Sequence, residues 1–216
     1  MSLLLATGLT LVALAGDAAV TESPHDPATD CVVLLHGMAR SARSMRRMAT
    51  ALAESGYAVV NEGYPSRDHG IAKLAPLAIE PALRECRRQR EHGRIHFVTH
   101  SLGGILLRYY TARNTLEDIG RVVMLGPPNQ GSTAADKWRG FPGFGWLNGP
   151  AAFELGTGKD SVPRALGKPS FEFAVIAGDR SIDPVTSLML KGPDDGRVAV
   201  AETRLEGMRD FRVLHT

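Results

Sequence analysis

From residue 31 onward, short apolar runs alternate with longer stretches whose apolar positions recur every three or four residues. That order suits a parallel sheet, because parallel strands cannot be joined by tight hairpins and each crossover is usually a helix packed on the sheet. Strands are expected at 31–36, 57–60, 95–99, 122–125, 171–177 and 211–214, and helices at 44–55, 71–91 and 102–114. The expected fold class is therefore α/β: a mostly parallel central sheet with helices on both faces and right-handed crossovers. At 216 residues and 44% hydrophobic content, the chain is long enough to bury one core.

Residues 1–30 read differently. The run 3–15 is apolar or small and ends in Ala13-Leu14-Ala15, a small-x-small pattern suited to signal-peptide cleavage. A bilayer core needs about 20 apolar residues, so this run is too short to span one. No Lys or Arg precedes it, and a buried first segment of a cytoplasmic protein is the competing reading. The expected organisation is a signal-like segment and linker over 1–30, implying export to the periplasm or medium, followed by one domain over 31–216. Within that domain the periodicity fails between 127 and 169, where Phe141, Phe144, Trp146 and Phe153 gather among Gly and Pro. Long irregular segments of this kind usually serve as functional loops or lids.

A formal charge of +2 gives no field that would make nucleic acid an obligatory partner. The arginines at 84, 87, 88, 90 and 94 lack interleaved stacking aromatics and read as a solvent-facing stripe. Cys31 and Cys86 are too few for a disulfide framework and are not spaced as a zinc site, so a structural metal is not expected. They are either a disulfide or two buried thiols.

The stretch Ile95-His96-Phe97-Val98-Thr99-His100-Ser101-Leu102-Gly103-Gly104 runs a strand straight into a helix with a serine at the junction. A serine on so sharp a turn is lifted out at the carboxyl end of the sheet, and the residues two before and two after it must be small. Gly103 meets that requirement, while Thr99 stands where the G-x-S-x-G pattern has its first glycine. The competing reading is a serine that only caps the following helix.

Four separated motifs occur in one order: His36-Gly37-Met38 after the first strand, the Ser101 turn, Pro127-Pro128-Asn129-Gln130-Gly131-Ser132 after a later strand, and Asp195-Gly196-Arg197-Val198. Over residues 31 to 214 the chain resembles the α/β-hydrolase superfamily, and within it bacterial lipases and esterases. The resemblance implies the α/β-hydrolase fold and a Ser, acid, His triad. His215 is the only histidine after Ser101 and so the expected base. Asp195, in a lipase-like D-G-x-V context, is the expected acid, ahead of Asp183 and Asp179, which follow the 171–177 strand. The implied oxyanion hole is the amides of Met38 and Leu102, although Met38 also reads as a core methionine in a loop. His100 reads as a structural histidine.

Relatives continue past this point with a His-Thr-Phe type segment and a final helix, so the sheet is expected to lack that helix. Either His215 is the base or the base lies beyond residue 216. The expected function is a serine carboxylic-ester hydrolase working through an acyl-enzyme on lipid or short acyl esters, with contact to a lipid surface or membrane periphery compatible with it. Two alternatives stand beside it: a thioesterase or acyl-transferring relative, and a truncated, noncatalytic binding module. No cofactor is required and none is expected; neither G-x-G-x-x-G nor a phosphate loop follows the first strand. Calcium among Asp179, Asp183 and Asp194 is the one metal reading the sequence leaves open.

Overall fold

The structure, a computed structural model, describes residues 28–90, 92–181, 184–188 and 190–215. The signal-like run and Asp183 lie outside the described residues. Six strands form, at the places where the apolar runs predict them: β1 Cys31–Leu35, β2 Ala58–Val60, β3 Ile95–His100, β4 Ile119–Leu125, β5 Phe173–Gly178 and β6 Asp210–Leu214. They make one all-parallel sheet in the order β2-β1-β3-β4-β5-β6. The chain builds outward from β1 in one direction to β2, then crosses back to add β3 through β6 on the other side. The strand order therefore reverses between β1 and β3, and in open parallel sheets the crevice outside the strand carboxyl ends at such a reversal is where ligands bind.

The two-residue period of β1 divides the core. Cys31, Val33 and Leu35 pack with helices α2 (Ile71–Gln89) and α3 (Leu102–Thr111), while Val32 and Leu34 meet Met45, Met48 and Leu52 around α1 (Arg46–Glu54). Helices thus cover both faces. Coverage is uneven, because Val98, Val123, Leu125 and Ile176 on the α1 side are only half-buried. On the last strand Val213 and Leu214 are exposed.

Helix α2 runs 19 residues despite Pro76 and Pro81, held by an inward face that includes Ile71, Leu74, Ile79 and Leu83. Its N-cap, Gly70, has no side chain to offer, and Glu154 supplies the missing acceptor by taking the Ile71 amide at 2.9 Å. Cys31 and Cys86 form a disulfide between β1 and α2, which settles the alternative the sequence left open. Both residues are buried, and the bridge closes a separation of 55 residues. Bonds of this kind stabilise by about 2–4 kcal/mol, chiefly by restricting the unfolded chain.

The 127–169 segment contains only short helical pieces, Thr133–Trp138, Phe144–Asn148, Pro150–Glu154 and Val162–Ala165. Its aromatics pack on one another, Phe144 edge-on to Phe153 at 5.2 Å and Trp138 against Phe141 at 4.8 Å. Trp146 is 84% exposed, so it does not anchor the segment to the core.

Candidate active site

Ser101 sits between β3 and α3 with φ +49° and ψ −116°, a backbone conformation that L-residues rarely adopt. Its amide donates to the Leu125 carbonyl at 2.9 Å and its carbonyl accepts from Gly104 at 3.1 Å, which pins the turn from both sides. Its side chain makes no capping hydrogen bond, so the helix-cap reading of this serine is not what the structure contains.

The turn is feasible because α3 lies almost on β1. A Cβ at Gly103 would fall 2.6 Å from the Leu35 carbonyl oxygen and 2.9 Å from Leu35 Cβ. Gly103→Ala is therefore expected to destabilise the protein by about 1–3 kcal/mol in thermal denaturation. The departure at Thr99 has a steric reason as well. Thr99 is fully buried and its Oγ1 lies 3.1 Å from where a Cβ of Gly104 would be, so the volume absent at Gly104 admits the larger residue.

The loop after β1 lies against this turn. A Cβ at Gly37 would stand 2.6 Å from His100 Nδ1 and 3.3 Å from Ser101 Cβ. His36 anchors that loop: its ring stacks on Tyr64 at 4.1 Å, Nε2 accepts from the Tyr64 amide, and Nδ1 donates to the Gly37 carbonyl at 2.9 Å. This network assigns the neutral Nδ1–H tautomer. The Tyr64 hydroxyl donates to the His36 carbonyl at 2.5 Å, and burial raises the pKa of that phenol.

Beyond Gly37, the amides of Met38 and Leu102 donate to no group among the described residues. Leu102 opens the ten-residue α3, so its amide also carries the positive end of the helix dipole. Ala39 follows with φ +52°, a second strained non-glycine residue in the same neighbourhood.

His100 is half-buried beside Gly37 and its ring makes no hydrogen bond among the described residues, unlike the satisfied structural histidine expected there. Burial lowers its pKa, opposed by Asp195 and reinforced by Arg40 and His36. Burial lowers that of His36 too. Below the ordinary value of 6.5 the unfolded chain therefore binds protons that these two rings resist, so stability falls as pH drops from 6.5 toward their depressed values. Thermal denaturation should show a lower Tm at pH 5.5 than at 7.5, with a shallower slope in His100→Asn.

The expected acid and base are not brought together. His215 follows β6, and its Nδ1 lies 2.7 Å from Asp179 Oδ2 and 2.9 Å from Oδ1. The register explains this pair: Gly178 is aligned with Leu214, so the next residue on each strand emerges beside the other. His215 is 76% exposed at the side chain, and no hydrogen bond joins it to Ser101. Asp195 instead spends Oδ1 on the amides of Arg197 and Val198, at 2.9 and 2.8 Å. It nevertheless stays near the Ser101 turn, with Oδ2 3.1 Å from where a Cβ of Gly126 would be.

The segment after β4 holds the Asp195 loop in place. Ser132 Oγ donates to the Arg197 carbonyl, Asn129 Nδ2 to the Thr203 carbonyl, and the Gln130 amide to the Glu202 carbonyl. Glu202 in turn accepts from the Thr133 amide and hydroxyl. Behind Asn129 lies Arg108 of α3, which is 2% exposed. It donates to Asn129 Oδ1 and to the Pro163 and Gly167 carbonyls. The sequence reading missed this arginine; an arginine amid the apolar residues of 102–114 was the available signal. Asp194 caps its own turn by accepting from the Gly196 amide and the Ser187 hydroxyl. Among the described residues, no three His, Cys, Asp or Glu side chains converge as metal ligands.

The profile of the Alpha/beta hydrolase family matches residues 32–213. Among solved structures, the mature form of Bacillus licheniformis lipase BlEst2 is similar at 20% identity and a TM-score of 0.66, over 88% of this chain and 86% of that one. The metagenomic carboxyl esterase MGS0156 is similar at 18% identity and a TM-score of 0.68, over 94% and 70%. Phospholipase PlaB from Legionella pneumophila is similar at 18% identity and a TM-score of 0.63, over 82% of this chain and 46% of that one. No curated protein matches by sequence. With the family profile spanning all six strands and the sheet carrying a serine on the strained turn after β3, this chain belongs to the alpha/beta hydrolase family.

Proposed function

We propose that this chain is a serine carboxylic-ester hydrolase of lipase or esterase type, working through an acyl-enzyme. The observation that carries the reading is the strained Ser101 turn facing the Gly37–Met38 loop, with the amides of Met38 and Leu102 free to receive an oxyanion. In the first step Ser101 Oγ attacks the ester carbonyl and its proton passes to Nε2 of a histidine base. Charge on the carbonyl oxygen is then stabilised by the two amides. Collapse of the tetrahedral intermediate expels the alcohol, which takes the proton back. Water repeats the sequence in reverse and releases the acid. Asp179, on Nδ1 of His215, is placed to hold the tautomer that leaves Nε2 as acceptor.

Hydrolysis of p-nitrophenyl butyrate and palmitate tests the reading and its residue roles. Asp179→Asn is expected to lower kcat by about 10³-fold or more, and Asp195→Asn by less. The reverse order returns the acid's role to Asp195. The exposed His215, unbonded to Ser101, favours the binding-module alternative, which predicts no turnover above the background of Ser101→Ala. A lipid or acyl-ester substrate is part of the proposal, as is an oxidising compartment, periplasmic or extracellular, supported by the Cys31–Cys86 bridge.

A further inference from the structure

We propose that the surface hollow beside the nucleophile turn is a subsite for a negatively charged group of the substrate, a phosphate or carboxylate a few bonds from the scissile ester. The proposal rests on the ester-hydrolase reading and adds the substrate's chemical class to it. The hollow, of ≈ 450 Å³, is lined by Ala39, Arg40, Ser41, Arg43 and Ser44. Its lining continues directly from Met38, and the Arg40 amide turns back to donate to the Gly37 carbonyl at 3.3 Å. A Cβ at Gly37 would in turn stand 3.3 Å from Ser101 Cβ. One substrate can therefore place its carbonyl at Ser101 and a charged arm over Arg40 and Arg43. Arg40 lies close enough to the Ser101 turn to disfavour protonation of His100, against the larger opposite effect of Asp195.

The charge of this stretch has one sign. Residues 31–53 carry Arg40, Arg43, Arg46 and Arg47 and no Asp or Glu. All four are exposed, and among the described residues none forms an ion pair. Four other exposed arginines are ion-paired, Arg87 with Asp118, Arg88 with Glu85, Arg209 with Glu172 and Arg212 with Asp210, whereas Arg67, Arg84 and Arg197 form no ion pair among the described residues. Asp195 has Oδ1 engaged by backbone amides rather than by an arginine. Unneutralised guanidiniums at the mouth of a cleft concentrate anions there and suit carboxylate or phosphate oxygens in geometry.

The test compares matched esters in the wild-type chain and in Arg40→Gln/Arg43→Gln. One pair is p-nitrophenyl hydrogen adipate against p-nitrophenyl hexanoate, and the other is 1-hexanoylglycerol 3-phosphate against 1-hexanoylglycerol. The ratio of kcat/KM, anionic over neutral, is expected to fall about tenfold in the double variant at low salt, and high salt should reduce the wild-type ratio in the same direction. A fall with the adipate pair alone assigns the subsite to carboxylates, and with the phosphate pair alone to phosphate headgroups. An unchanged ratio in both pairs overturns the proposal. If no ester is turned over, calorimetric binding of hexyl phosphate and hexyl glucoside decides separately. Preferential binding of hexyl phosphate that the double variant loses supports the subsite while the hydrolase reading fails. Equal binding, or none, overturns the subsite.

Discussion

Ser101→Ala is expected to lower kcat for p-nitrophenyl butyrate by about 10³- to 10⁶-fold while leaving the fold intact. The size of the loss follows from geometry. Ser101 occupies the strained β3–α3 turn, and its Cβ lies 3.3 Å from where a Cβ of Gly37 would be, so its hydroxyl is the one expected to attack. What survives should be the contribution of the two amides and of binding, which still favours attack by water. Measuring kcat beside the thermal midpoint separates chemistry from folding. An activity loss below tenfold would mean that ester cleavage is performed by some other group.

Arg108→Met is expected to cost about 3–5 kcal/mol of stability, because the cation would vanish while its partners stayed buried. The guanidinium answers the carbonyl and side-chain oxygens of Asn129 and the carbonyls of Pro163 and Gly167, at 2.7 to 3.3 Å. Burial depresses its pKa to about 10, and it remains charged at neutral pH with no carboxylate in ion-pair distance among the described residues. Methionine would fill much of the volume and satisfy none of those oxygens. Arg108→Lys should recover only part of the loss, since an ammonium cannot span the same fork. Because Asn129 also reaches the Thr203 carbonyl, beyond the Asp195 loop, activity is expected to fall further than stability alone explains. Chemical denaturation gives the first quantity and kcat at a temperature below the transition gives the second. A cost below about 1 kcal/mol would show that water replaces the arginine.

The parallel sheet was legible chiefly from its inner strands, of which β1 is buried on both sides and so reads as an unbroken apolar run, Val32-Val33-Leu34-Leu35. The Ser101 turn was legible because close approach of α3 to β1 admits only hydrogen at Gly103. Boundaries moved at the ends. Helix α3 stops at Thr111 rather than Asn114, and β4 begins at Ile119, before its apolar run. The partner of His215 was not legible. Asp179 and His215 meet because β5 and β6 align Gly178 with Leu214, and register between strands far apart in sequence leaves no local mark. The D-G-R-V motif pointed to Asp195 by resemblance, whereas the loop's own turn occupies one of its oxygens. Arg108 escaped for a similar reason, since its value lies in three distant carbonyls that no short pattern announces.

Ser101 and Ala39 both have φ near +50°, and such conformations cost roughly 1–3 kcal/mol each. A glycine at either position would relax the backbone at no steric cost. Random mutants selected for heat resistance would therefore be drawn toward Ser101→Gly, a more durable and inert protein. A programme to toughen this chain should screen for turnover from its first round, because thermal endurance and chemistry pull in opposite directions at this turn.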